Sequence, residues 1–195
     1  MSIKQRLDAK ISSWDLLKSP FYQAWSAGTL PREALRTYAR EYGALISLMP
    51  YGWETLDDEE IAREERAHLA LWQDFAQDLH TEVGEACIPQ VDNLVQTSKR
   101  LFANATTALG ALYAFESQQP ATAKSKLEGL KAFYNVGRTG ESYFEIHSHN
   151  EHESEKLLNR IAALSTEEQG EVIHACETMS VALWDALNGI YDAEV

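Results

Sequence analysis

The sequence predicts an all-α bundle of seven or eight helices, and three observations carry that expectation. Apolar residues recur with the helical period along nearly the whole chain, and no segment alternates apolar and polar residues over the length of a strand. Glycine and proline punctuate the chain only at wide intervals, the five prolines being Pro20, Pro31, Pro50, Pro89 and Pro120. With 195 residues, 45% apolar and 24% charged, the chain is long enough to close a core as a single domain over 1–195.

The elements follow in order. A first helix is expected over about 3–17 and a short one after Pro20. A long one runs from Pro31 to Met49, with Leu35, Tyr38, Tyr42, Leu45 and Met49 on one stripe. Proline suits a first helical turn, so Pro20 and Pro31 read as starts, whereas Pro50-Tyr51-Gly52 reads as a break. Asp57-Asp58-Glu59-Glu60 places four acids at the positive end of the next helix, which reaches about Leu79. A loop through Gly84 and Pro89 precedes a helical stretch to about Gln119, with Asn104 as a candidate interruption. Pro120 restarts the helix, which ends near Asn135–Gly137. Another spans about Gly140–Ala163. The last begins at Ser165, with Glu168 three residues on in a capping-box pattern, and reaches about Tyr191.

Charge and composition exclude several classes of function. Thirty acids against seventeen bases give a net charge of −13, which repels phosphate backbones and anionic lipid, so neither nucleic acid nor membrane is expected as a partner. No stretch approaches the roughly 18 consecutive apolar residues of a membrane span. Met1 to Lys10 do not read as a secretory signal. Cys87 and Cys176 lie far apart and fit a reducing compartment, so a cytoplasmic location is expected.

The informative residues are polar ones on apolar stripes. Between Asp57 and Leu79 the buried stripe is Ile61, Glu65, His68, Trp72, Phe75 and Leu79, with Glu64 on its flank. A Glu and a His three apart project from one helix face, which offers an oxygen and a nitrogen to one metal ion or, more plainly, makes a Glu–His hydrogen bond. Glu116 shares a face with Leu109, Leu112 and Tyr113 on the most apolar helix of the chain. A lone ionised carboxylate there would cost several kcal/mol, so it must be protonated, paired, bound to a cation or, near Pro120, reach solvent. In the segment 143–154, which carries three of the six histidines, His147 and Glu151 fall i,i+4 on a face with Phe144, Ser154 and Leu158, while His149 and His152 point elsewhere.

If these helices meet, three carboxylates and two imidazoles share one site. Three uncompensated negative charges would be untenable there, and two divalent cations would leave about +1. Carboxylate-rich, thiolate-free ligation suits iron or manganese better than structural zinc.

Longer segments resemble a known family. Phe21-Tyr22-Gln23-Ala24-Trp25, Gly28-Thr29-Leu30 and Tyr38-Ala39-Arg40-Glu41-Tyr42 are similar to the N-terminal part of the heme-oxygenase-like diiron oxidases, within the wider TenA/PqqC-like superfamily. The closest likeness is to the CADD type, which makes p-aminobenzoate for folate. His68-x-x-Leu71-Trp72, Leu112-Tyr113-Ala114-Phe115-Glu116-Ser117-Gln118-x-Pro120 and Tyr143-Phe144-x-x-His147 match its ligand-bearing segments. The resemblance implies a seven-helix heme-oxygenase-like bundle and a homodimer. It also implies two divalent metal ions (Fe, or Fe/Mn) held by Glu65, His68, Glu116, His147 and Glu151, with molecular oxygen as co-substrate. The substrate would be a small molecule or the protein's own side chains: Tyr22 and Tyr143 match the ring sources, and Lys126 matches the amino donor.

The chain departs from that pattern in three places. The family's H-x-x-x-D-x-x-H reads His147, Glu151, Ser154 here, so water, His149 or His152 would have to serve for the last histidine, or one ion is weakly held or lost. The segment between Pro50 and His68 is shorter than in the CADD type, which leaves the choice of Glu65 over Glu64 to the stripe argument. Phe115 replaces a tyrosine beside the central glutamate. The alternative reading is therefore a divergent non-catalytic, or cofactor-free, TenA/PqqC-like binding protein.

Overall fold

The computed structural model describes residues 1–150 and 152–195 and is helical from end to end, with no strand among the described residues. The helices are α1 (Ile3–Ser12), α2 (Pro20–Ser26), α3 (Arg32–Glu41), α4 (Gly43–Ile46), α5 (Met49–Thr55) and α6 (Glu59–Asp78) in the first half. They continue as α7 (Pro89–Phe102), α8 (Ala105–Glu116), α9 (Gln119–Gly129), α10 (Arg138–His147), α11 (His152–Ala162) and α12 (Thr166–Glu194).

Most starts follow from local chemistry. Pro20 and Pro89 sit in the first turns of α2 and α7. Asp58 caps α6 by accepting from the Ile61 N–H, and Asn104 interrupts the long stretch by accepting from the Thr106 and Thr107 N–H groups. The capping box at Ser165 and Glu168 forms as read, and a second one at Ser2 and Gln5 opens α1.

Four expected elements differ. The first helix ends at Ser12, because Asp15 caps a separate 3-10 turn at Leu16–Lys18. The helix expected over 31–49 divides at Tyr42 into α3 and α4, and Pro31 caps it rather than entering it. Pro50 opens α5 instead of ending a helix, since in a first turn it forfeits no hydrogen bond. The helix expected over 140–163 is two helices: the chain leaves helix after His147 and resumes at His152. Ser148, His149 and Asn150 supply turn chemistry there, with the Ser148 hydroxyl donating to the Glu145 carbonyl.

Helix α8 lies at the centre, packed by α12, α7, α11, α5 and α9. Every residue from Ala108 to Glu116 is buried. Gly110 permits this closeness, because a Cβ there would run into the Val172 carbonyl of α12. Helix α6 packs on α10, α5 and α3. An aromatic core of Trp25, Tyr38, Trp72, Phe75, Tyr143 and Phe144 fills the space between these layers. Helix α11 is tied to the start of α6 by Lys156, 2.7 Å from Asp58, and by Arg160, which donates to the Leu56 carbonyl at 2.6 Å. The helices that carry the polar residues of interest, α6, α8, α10 and α11, thus converge from four directions.

Candidate metal centre

The stripe on α6 turns Glu65 inward, 2% exposed, and leaves Glu64 exposed. The Glu65 carboxylate lies 3.1 Å from His68 Nδ1 on its own helix and 3.9 Å from His147 Nε2 on α10. The two imidazole rings meet edge-on, 4.6 Å between centroids. Glu65, His68 and His147 each offer a ligand atom within 4.8 Å of the others, so the structure joins three residues that the sequence placed on two separate helices.

The hydrogen bonding of His147 fixes its orientation. Its Nδ1 is 2.7 Å from the Tyr143 carbonyl, which can only accept, so Nδ1 carries the proton. In the neutral ring Nε2 then presents a lone pair toward a carboxylate oxygen too distant for a hydrogen bond. Two electron-rich atoms facing one another across 3.9 Å suit a cation between them.

Glu116, at the end of α8, is 2% exposed, and among the described residues its Oε1 has no hydrogen-bond partner. Burial, and then the carboxylates of Glu153 and Glu65, push its pKa well above the usual range, while the Trp53 indole beside it works in the opposite direction. Glu65 is held near a pKa of about 2: burial raises it, but the two imidazoles outweigh burial. His68 shifts upward, because the Glu65 carboxylate outweighs the effect of burial on the ring.

Glu151 lies outside the described residues. Among the described residues, Phe144 and His147 lie on α10 whereas Ser154 and Leu158 lie on α11, so these four do not share one continuous helix face. Helix α11 turns Glu153, Leu157 and Ile161 into the core, each at 0% exposure. Glu153 was missed by reading the register straight through; a break at Ser148-His149-Asn150 followed by the apolar stripe Leu157 and Ile161 would have found it. His149 and His152 are exposed, and Ser154 lines a groove of about 470 Å³ with Tyr113, Ser117 and Leu158.

The other residues singled out lie close by. Tyr143 stacks on His147, 4.1 Å between centroids, and accepts from the Gln119 amide at 3.1 Å. Lys126 is 2% exposed, with its Nζ 5.4 Å from the centroid of Tyr22, 5.1 Å from that of Phe144 and 3.1 Å from the Tyr38 hydroxyl. No carboxylate pairs with it among the described residues. Burial lowers its pKa to about 7, so at neutral pH much of it is free amine. Burial also pushes the Tyr22, Tyr38 and Tyr143 hydroxyls up, keeping all three protonated. Tyr38 is a neighbour of Lys126 that the sequence placed on a core stripe and in a family segment, without a link to the lysine.

Residues 23–184 match the family of heme-oxygenase type described as iron-containing redox enzymes. The chain belongs to this family. It is 32% identical to the 4-aminobenzoate synthase of Nitrosomonas europaea, over 98% of this chain and 92% of that one. It is 29% identical to the 4-aminobenzoate synthase of Chlamydia pneumoniae, over 96% and 94%. A structure from Shewanella denitrificans with a heme oxygenase-like fold superposes with a TM-score of 0.79 at 15% identity, covering 99% of this chain and 93% of that one. A CADD-like protein of Nostoc punctiforme superposes with a TM-score of 0.68 at 15% identity, covering 98% of this chain and 94% of that one. The heme-oxygenase-like bundle and the likeness to CADD-type proteins are thus as expected, and the general kind of activity in this family is oxidoreductase. No described helix is long and apolar enough to cross a membrane.

Proposed function

We propose that this protein is a metal-dependent, oxygen-activating oxidase, with Glu65, His68, His147 and Glu116 holding two divalent ions, iron or iron with manganese. The observation that carries the reading is a mismatch of partners. Among the described residues Glu116 Oε1 is buried without a hydrogen bond, and His147 Nε2 faces the Glu65 carboxylate across 3.9 Å, a gap that a shared cation fits in place of a proton. Imidazole with carboxylate and no thiolate is a donor set that suits iron or manganese. Ions bound there would supply the activation of molecular oxygen and the oxidation of a nearby bond.

The chain's own residues do the rest. The Tyr143 carbonyl holds His147 in the tautomer that frees Nε2. Burial keeps water from competing for the donors. Tyr22 and Tyr143 present protonated phenols, and Lys126 presents an amine whose pKa desolvation lowers to about 7, so that a substantial fraction is neutral and nucleophilic at neutral pH. A phenol ring and an amine buried 5.4 Å apart, as in Tyr22 and Lys126, are the two parts of an aminated benzene ring. Together with the names of the two relatives, this supports formation of p-aminobenzoate from the protein's own side chains. The homodimer implied by the resemblance and the cytoplasmic location expected from the two cysteines belong to the same proposal.

The test is anaerobic reconstitution with Fe(II) and Mn(II), metal analysis, then exposure to oxygen. Near-stoichiometric metal, oxygen uptake and release of p-aminobenzoate are expected, with Lys126→Met removing the product but not the metal. A protein that takes up no metal overturns the whole reading. One that takes up metal and consumes oxygen without p-aminobenzoate leaves the oxidase and overturns the self-consuming reaction, for which Phe115 in place of a tyrosine is the residue to revert.

A further inference from the structure

We infer that Glu153, from the first turn of α11, is the carboxylate that completes the metal centre, forming with Glu116 a half built from oxygen donors alone. This rests on the metal-dependent reading above and names a ligand that neither the stripe argument nor the resemblance assigned.

Three observations point to it. Glu153 is 0% exposed, and among the described residues its Oε2 has no hydrogen-bond partner, while its Oε1 accepts from the Asn150 amide at 2.8 Å. Asn150 Oδ1 and Glu116 Oε1 are also buried without partners. Among the described residues, three orphaned oxygens surround two adjoining carboxylates, with only the Trp53 indole and a carboxylic proton on Glu116 to offset them, and a bound cation would replace that proton and satisfy all three at once. The electrostatic neighbours of Glu153 are Glu65, Glu116 and His147, so it faces the same centre as the imidazole-bearing residues. The Asn150 amide, held on Oε1, turns Oε2 toward the unsatisfied side.

The two halves then differ in chemistry. Glu65, His68 and His147 offer nitrogen and oxygen to one ion. Glu116, Glu153 and the Asn150 side-chain carbonyl offer oxygen only, which favours a harder ion such as Mn(II) over softer competitors. Ser154 is not needed as a ligand in this arrangement. An outward grouping of Glu153 with Glu64 and His152 brings ligand atoms within 4.8 Å as well, but Glu64 and His152 are exposed, and exposed groups already have water as a partner.

The experiment compares the wild type with Glu153→Gln, Glu151→Ala and the double variant Glu64→Ala/His152→Ala, each stripped of metal and reloaded anaerobically with Fe(II) and Mn(II). Bound metal is counted, and the thermal midpoint is read with and without Mn(II). The wild type, Glu151→Ala and the double variant are expected to hold two ions per chain. Glu153→Gln is expected to hold one, with a metal-free midpoint at or above that of the wild type, because a buried charge is gone, and a smaller rise on adding Mn(II). Equal metal counts and equal rises in the wild type and Glu153→Gln would overturn the inference. So would loss of an ion in Glu151→Ala or in the double variant while Glu153→Gln keeps both. No metal in any variant, the wild type included, overturns the earlier reading instead. Glu153→Asp, which keeps the charge but withdraws the oxygens, is expected to bind the second ion at least tenfold more weakly; unchanged affinity there also counts against Glu153.

Discussion

Glu41 and Glu116 are the same residue type at nearly the same burial, 0% and 2% exposed, yet their surroundings are opposite. Glu41, at the end of α3, accepts the Cys87 and Ile88 N–H groups at 2.8 Å each and meets Arg40 at 3.2 Å. It stands at the start of α7, where free N–H groups and the helix dipole favour an anion. Glu116 has an oxygen with no partner and faces two further carboxylates. Glu41 fastens the 79–88 loop to the bundle, whereas Glu116 is unsatisfied until something positive arrives. Burial alone therefore does not mark a functional acid; the absence of donors does.

This contrast can be broken most severely at Glu41. Glu41→Ala leaves two N–H groups and an arginine without their acceptor and is expected to cost roughly 3–5 kcal/mol in denaturant unfolding, with the number of ions bound per folded chain unchanged. If metal binding fell along with stability, Glu41 would not be the purely structural partner it is taken for.

Lys126 is a buried group of the opposite sign that has a neutral hydrogen-bond partner, the Tyr38 hydroxyl, but no carboxylate beside it among the described residues. Its pKa falls from 10.5 to about 7 on folding, so the unfolded chain binds the extra proton between those values. Lys126→Met is expected to stabilise the protein by on the order of 3 kcal/mol at pH 7 and below. The gain should shrink as pH rises from 7 toward 10.5, as urea titrations at several pH values would show. A gain independent of pH would point to packing rather than charge.

Glu116→Gln is expected to raise metal-free stability by about 2 kcal/mol near neutral pH while removing metal binding. Its sign follows from an upward shift: Glu116 favours the fold below about pH 4.5, and that contribution is lost as pH rises through the shifted value. Glu65 acts the other way, its contribution being present above 4.5 and lost as pH falls toward 2. The metal-free wild type should thus weaken from 4.5 upward, and divalent ions should restore it. At the small end, Lys4→Ala removes an exposed pair with Asp8 and should change stability by less than about 0.5 kcal/mol.

The sequence exposed most of this architecture, for identifiable reasons. The Asp58, Asn104 and Ser165 caps and the inward turn of Glu65 are local or periodic facts that one helix carries by itself. The joining of His147 to Glu65 and His68 needs the packing of α10 on α6, which no spacing encodes, although the resemblance anticipated it. Glu153 was hidden because a helical period was carried across a turn. The division of α3 from α4 at Tyr42 falls beside Gly43, a weak helix former whose missing Cβ leaves room for Trp72 and Val83; the glycine was legible in the sequence, but the close packing that requires it was not.

The interruption after His147 has one more consequence. Each residue along a helix rotates its side chain by roughly 100°, so a segment that restarts after a gap has a phase of its own. Two related chains whose connections here differ by a single residue would direct different columns of their alignment at the same point in space. Functional equivalence in this part of the bundle has to be judged by superposition, because matching letters in matching columns will compare residues that face different ways.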